Sequence, residues 1–406
     1  MNLDYSANQT RSTKRHLTLT VGQNSGDLRG NDDKILQAGA DYLQRLGGGI
    51  LHILPGEYTM RNALFLHPNL TLRGAGENTV LKKTPSSSTP LVLDSDWYEN
   101  QIRVEDASPF SAGCGIMLRG YKNGGLQNVV RDTVVGIEGN LLSLSQRLYK
   151  NFWLEEEATA ATLFPILTAA EHTDDVCVED LVLDGNMADN EEINGNYAGA
   201  VFIQRCHRYT FRNVVARNYN GDGFSFQICD DVRFENCRAD NNANLGFHPG
   251  SGSQRPVFNN CVAHGNSQGI FFCWGVTHGL VDNCTLSGNR DYGISIGHRD
   301  TDNHIVRSTI VDNEKVGLLF RQPLSEFRGG HRTLVELTTI RDNGFAADGV
   351  GIDVVGTTYD IEIRDNCIAD SGQGRQKIGI RVSPQARDVN SVNNQFENLS
   401  EEIVRL

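Results

Sequence analysis

No apolar run in this sequence is long enough to span a membrane, and Met1 to Thr20 is polar and basic, without the apolar core of a secretory signal. A phosphate-cradling GxxxxGK-S/T loop, an HExxH zinc motif and an EF-hand-like loop are all missing, so the common nucleotide, zinc and calcium signatures are excluded. The nine cysteines are odd in number and form no CxxC pairs or zinc-like spacings. They read as reduced, buried thiols, and together with the missing signal they place the chain in the cytoplasm. Positive charge is also short: the net charge is −13, which makes nucleic acid and anionic membrane poor partners. The same repulsion counts against a polyuronate, unless a local basic patch overrides the mean.

What the chain has is glycine, 42 residues in 406, and a strict period. A glycine opens each apolar run at Gly199, Gly223, Gly246, Gly269, Gly293, Gly317, Gly351 and Gly379, at intervals of 24, 23, 23, 24, 24, 34 and 28 residues. A second series runs in phase at Asn213, Asn236, Asn260, Asn283, Asn366 and Asn394, and a third at Asn218, Asn266, Asn289, Asn313 and Asn343. Each period holds two or three short β-type runs between Asn/Gly corners, with no helical pattern among them. Propeller blades and leucine-rich repeats have other periods and consensus residues, so the spacing predicts an all-β fold, a parallel β-helix. Inward corner asparagines would bond the coils above and below, and Cys237, Cys261 and Cys284 would stack as small core residues.

The chain divides into an N-terminal cap and first coils (1–96), a β-rich insertion (97–170) and the main helix (171–406). In the first part, Asp32-Asp33 opens an amphipathic helix with Ile35, Leu36, Tyr42, Leu43 and Leu46 on or near one side, ending at Gly47-Gly48-Gly49. Such a helix covers the open end of a solenoid. The stretch GGGILHILPGEYTMRNALFLHPNLTLRGAG resembles the opening of the pectate-lyase-like, right-handed parallel β-helix superfamily, and LVLDGN (181–186) looks like the first strand of its main helix. The longer intervals after Gly317 imply extra loops at about Pro323–Arg332 and Asn343–Gly349, where functional sites tend to be bordered.

Strand alternation sends the first and third residues after each glycine inward and the second and fourth outward. The outward ladders are then Ser225, His248, Phe271, Ser295, Leu319, Asp353, Arg381 and Gln227, Gly250, Cys273, Gly297, Arg321, Val355, Ser383. Small residues between Gln227 and Arg321 predict a trough roughly 19 Å long at about 4.8 Å per coil, with Phe271 and Trp274 as surfaces on which sugar rings stack. Its most charged corner, GHRDTDN (297–303), gathers His298, Arg299, Asp300 and Asp302. Arg321 lies one coil on, about 5–8 Å from His298, whereas His248 is three coils from Arg321, roughly 14 Å.

Three functions follow. A carbohydrate lyase working by β-elimination would use His298 as base, oriented by Asp300, and Arg321 or Arg299 to neutralise the developing enolate-like charge, with Lys315 as a further cation. A glycoside hydrolase needs two carboxylates roughly 5–9.5 Å apart. NGDGFSF (220–226), GISIGH (293–298) and GLLFRQ (317–322) are similar to segments of polygalacturonase-type hydrolases, which carries over Asp222 and Arg321, but NLGFHPGSGS (244–253) lacks the paired acids. GFHPGSGSQRPVFNNCVAHGN (246–266) is similar in layout to a coil of alginate epimerases, with His248 in place of the acid and Gly250 in place of the histidine. A non-catalytic carbohydrate-binding solenoid is the third. Substrate contacts fall to Asp222, Ser225, Gln227, His248, Phe271, Trp274, Asp302 and Lys315. The only cofactor suggested is Ca²⁺, through Asp222, Asp300, Asp302 and Asp353.

Overall fold

The computed structural model describes residues 17–406. Most of the polar N-terminal stretch therefore lies outside the described residues, and its last part runs into a strand, Thr18–Gly22. The glycine-opened runs form one face of a stack: an eleven-stranded parallel sheet from Leu64–Leu66 through Leu167–Ala169, Gly199–Gln204, Asp222–Gln227, Leu245–Gly250, Gln268–Phe271, Tyr292–Ile296, Val316–Phe320, Val350–Val354 and Ile378–Val382 to Glu401–Arg405. The remaining coil strands make a twenty-two-stranded parallel system around the other faces. The chain is a parallel β-helix, closed at its N-terminal end by the helix Asp33–Arg45.

Asp32 caps that helix, accepting a bond from the Ile35 N–H. Leu36, Ala40 and Leu43 join the core, whereas Tyr42 and Leu46, expected on or near the packed side, are exposed. The extra residues of the 34-residue coil fall between Phe320 and Thr333 and between Arg341 and Val350, and those of the 28-residue coil between Ala369 and Ile378.

Stacking puts like on like. Phe211, Phe234 and Phe258 stack with ring centroids 5.0 and 5.2 Å apart, close to one coil rise. The inward asparagine ladder runs Asn242, Asn266, Asn289, Asn313, Asn343 and ends on Gln376, each backbone N–H donating to the next side-chain oxygen. Asn218 sits one residue before the position that Tyr219 occupies, so it is a left-handed corner residue instead. Asn213, Asn236, Asn260 and Asn283 are likewise left-handed and bond one another at the exposed corner. Asn366 and Asn394, read as members of that series, are one position out of phase: they lie in line with Cys237, Cys261 and Cys284 and turn inward. The inward position needs a small side chain that can accept the next coil's N–H, and Cys, Ser308, Thr338 and Asn all do so.

Between Ser88 and Ala161 the chain leaves the coils and builds a six-stranded antiparallel sheet with its own core, including Leu91, Ile102, Leu118, Val134, Leu142 and Phe152. It rejoins the stack at Leu167–Ala169, which pairs in parallel with both Leu64–Leu66 and Gly199–Gln204. The excursion thus stands beside the N-terminal end of the eleven-stranded face.

Candidate functional site

Register brings the outward residues of that face into one line. Phe65, Thr168, Phe202, Ser225 and His248 are successive partners, and so are Phe271, Ser295, Leu319, Asp353 and Arg381. The line is not an open trough. Ser225 and Ser295 are 0% exposed and His248 3%. The segment after Asp184 crosses over the first of them, where the Ser225 hydroxyl donates to the Gly195 carbonyl at 2.8 Å. The small residues expected to leave a groove are filled from neighbouring coils: the Gln227 side chain lies where a Cβ on Gly250 would go, and Arg321 covers Gly297. Cys273 is buried as well. In a stack this tight, a missing side chain becomes room for the long one next to it.

Beneath the cover is an acid–imidazole pair that the spacing did not reveal. His248 Nδ1 donates to Asp222 Oδ2 at 2.7 Å, and Asp222 Oδ1 accepts from the Leu245 N–H at 3.1 Å. Burial pushes the imidazole pKa down, but Asp222 and the Cys273 sulfur push it up further, to about 9. His248 is therefore an imidazolium at neutral pH. Its ring meets Phe271 edge-on at 5.5 Å, and the Arg321 guanidinium lies over the same Phe271 ring at 4.2 Å. The face of Phe271 expected to carry sugar thus holds a cation. Arg321 reaches back across two coils, so it and His248 are separated by no more than the sum of those two distances.

Arg321 also donates to Ser295 Oγ at 2.6 Å, to the Phe272 carbonyl at 2.6 Å and to Asp300 Oδ2 at 3.2 Å. Asp300 accepts from the Gly275, Val276 and Gly297 N–H groups, at 2.9, 2.9 and 2.8 Å. Burial lifts its pKa to about 6 against the pull of Arg321 and these donors. With its oxygens so occupied, Asp300 makes no hydrogen bond to His298 and cannot orient it as expected. His298 and Arg299 are consecutive left-handed residues that swing out at the corner. His298 stacks on Trp274, centroids 5.0 Å apart, and its Nδ1 has no partner. Burial, then Arg321 and Arg328, lowers its pKa, so the ring is neutral at pH 7. Trp274 remains 41% exposed.

The other expected residues are dispersed. Asp302 is held by Arg332 at 2.7 and 2.8 Å, which lowers its pKa to about 2. Lys315 is paired with Asp291 and lines a cavity of about 190 Å³ with Leu319, Asp353 and Arg381. Arg299 is exposed. Asp222, Asp300, Asp302 and Asp353 each have a separate cationic partner, so they do not converge on a Ca²⁺ site, and no group of three or more metal-ligating acids, histidines or cysteines occurs among the described residues.

A family model described as "Right handed beta helix region" matches residues 181–322. Among solved structures, the A-module of the Azotobacter vinelandii mannuronan C-5 epimerase AlgE4 is similar at 19% identity, over 91% of this chain and 92% of its own, with a TM-score of 0.59. The fold is a right-handed parallel β-helix. The A-module of AlgE6 from the same organism is similar at 18% identity over 92% of this chain and 91% of its own, with a TM-score of 0.58. The Dettilon tailspike protein is similar at 10% identity, covering 91% of this chain and 58% of its own, with a TM-score of 0.54. No curated protein sequence matches the chain.

Two cations of this right-handed β-helix escaped the sequence reading. Arg328 comes from the long loop after Phe320, and its backbone carbonyl accepts the Arg299 N–H at 3.0 Å. Arg131 comes from the antiparallel excursion and lies over Phe202 at 4.1 Å. Neither belongs to a repeating coil position, so the period carried no signal for them.

Proposed function

We propose that the chain binds an acidic oligo- or polysaccharide along the eleven-stranded face and cleaves it by β-elimination. The observation that carries this reading is His298, a neutral imidazole stacked on the exposed Trp274 within the field of the charged Arg321, its buried Nδ1 without a hydrogen-bond partner. His298 takes the proton from the carbon next to a uronate carboxylate, and Arg321 neutralises the charge that moves onto that carboxylate. The electron pair then forms the C=C bond and expels the glycosidic oxygen, which takes up the proton held on His298 and so restores the neutral imidazole. The two mannuronan C-5 epimerase modules that share the fold act at the same carbon of a uronate, which supports an acidic sugar as the ligand class. Hydrolysis is less well supported, because the candidate carboxylates are tied to cations and backbone N–H groups.

A panel of uronate polymers and oligomers, followed by ultraviolet absorbance of the new C=C bond, tests the proposal. Activity is expected, falling at least about a hundredfold in His298→Ala and strongly in Arg321→Lys, which keeps the charge but loses the fork. Activity should fall on acidification with a midpoint below that of an ordinary histidine, because burial and the neighbouring arginines lower the His298 pKa. Silence across the panel from folded protein would overturn elimination. Burial of Ser225, His248 and Ser295 favours one other reading, binding without turnover. Uronate binding that survives both substitutions, with no product, would establish it.

A further inference from the structure

The excursion encloses, against the N-terminal end of the ladder face, a cavity of about 270 Å³. Its floor includes Phe65 and Thr168, which precede Phe202 in the line leading to His248. Its wall is the strand Gly125–Glu138, which brings in Arg131. The guanidinium lies 4.1 Å over the Phe202 ring, is closely surrounded by protein and is still partly open to the cavity.

Arg321 and Arg381 on the same face are balanced by Asp300 and Asp353. Arg131 has no acid partner and no side-chain hydrogen bond among the described residues. Asp132, next in the chain, also lines the cavity, but its oxygens are taken by the Thr133 N–H at 2.7 Å, the Gln146 N–H at 3.2 Å and the Ser145 hydroxyl, and it makes no ion pair with Arg131. A partly desolvated guanidinium without a counter-charge is costly. Contact with the Phe202 ring offsets only a part of that cost. What would complete the site is a planar anion able to take the fork, which is the chemistry of a carboxylate.

We infer that Arg131 is a carboxylate-binding subsite, holding the acid group of a uronate unit at the excursion end of the ladder face, two coils (about 10 Å) from His248. The inference rests on the acidic-sugar part of the proposed function and not on the elimination chemistry. With Arg131 in that role, the excursion closes one end of the binding face.

Two measurements test it. Calorimetric titration with a uronate trisaccharide and with an uncharged trisaccharide should show binding of the acidic one only. Arg131→Met should weaken that binding at least about tenfold, with Arg131→Lys between the two. A structure of the unaltered protein soaked with a uronate monosaccharide should show its carboxylate on Arg131, which decides the matter even if a variant fails to fold. Unchanged affinity in a folded Arg131→Met protein, or a sugar carboxylate found only elsewhere, would overturn the subsite. Uronate bound at Arg131 with no ultraviolet product would sink elimination alone, whereas cleavage with unchanged Arg131→Met affinity would sink the subsite alone.

Discussion

Lys83 shows how far burial can go in this interior. It is 1% exposed, its Nζ donates to Asn220 Oδ1 at 3.1 Å, and it stands 5.1 Å from the ring centroids of Phe164 and Tyr219 with no acid beside it. Burial lowers its pKa from 10.5 to about 7. The unfolded chain therefore binds more protons than the folded one between about pH 7 and 10.5, so this group's contribution to stability rises with pH across that window. Below the window the full penalty is present. Lys83→Met is expected to stabilise the fold at pH 6 by about 1–4 kcal/mol, with the advantage shrinking by pH 9.5. Urea unfolding at the two pH values measures it, and an advantage that grew with pH would contradict the assignment. Nothing in the sequence marks Lys83, because its partners lie 81, 136 and 137 positions away along the chain. His248 is a parallel case. Its alignment was legible from the period, but its partnership with Asp222 depends on a side chain crossing between coils, which no spacing rule supplies.

At the level of the element, the coil was the most legible part of the molecule. Strict apolar alternation after Gly223, Gly269, Gly293 and Gly317 identified the strands and their inward faces, since period two is dictated by the pleat. The same local text misled where two positions of the corner accept similar residues: DNC at 282–284 and at 365–367 are one step apart in register. The trough was misread for a related reason, because the sequence shows that Gly250 and Gly297 are small but not that Gln227 and Arg321 fold over them. The inward asparagine ladder has a measurable consequence. Asn289 accepts from the Asn266 N–H and side-chain amide and donates twice to Asn313 Oδ1. Asn289→Ala leaves the buried Asn266 N–H without its acceptor and the Ala263 carbonyl without a donor, and should cost about 2–4 kcal/mol. Hydrogen exchange should quicken first at the amide of Asn266, which loses its acceptor, because a stack of coils couples chiefly to its nearest neighbours. Uniform loss of protection along the whole stack would argue against that.

On the scale of the whole molecule, a net charge of −13 and a proposed acidic ligand pull in opposite directions. The structure reconciles them by position. Most arginines are paired with one or two acids, as Arg208 is with Asp174 and Asp175, Arg255 with Asp230 and Asp231, and Arg332 with Asp302, so they add little to the field beyond their own surroundings. Arg131, Arg299 and Arg328 have no acid partner among the described residues, and they lie on or beside the ladder face, at its excursion end and at the His298 corner. Binding of an acidic sugar should therefore depend on a few local cations acting against a repulsive background. Salt screens both, but the contacts are short and the repulsion is long in range, so the repulsion is removed first as the Debye length falls. Uronate affinity is then expected to rise or stay level from roughly 0.01 to 0.1 M salt and to fall only above about 0.3 M. A steady fall from the lowest salt would mean that the cationic patch dominates at long range, contrary to the charge balance of the chain. Replacing Arg299 and Arg328 together by Gln should move the decline to lower salt and slow association, because steering depends on the same few charges.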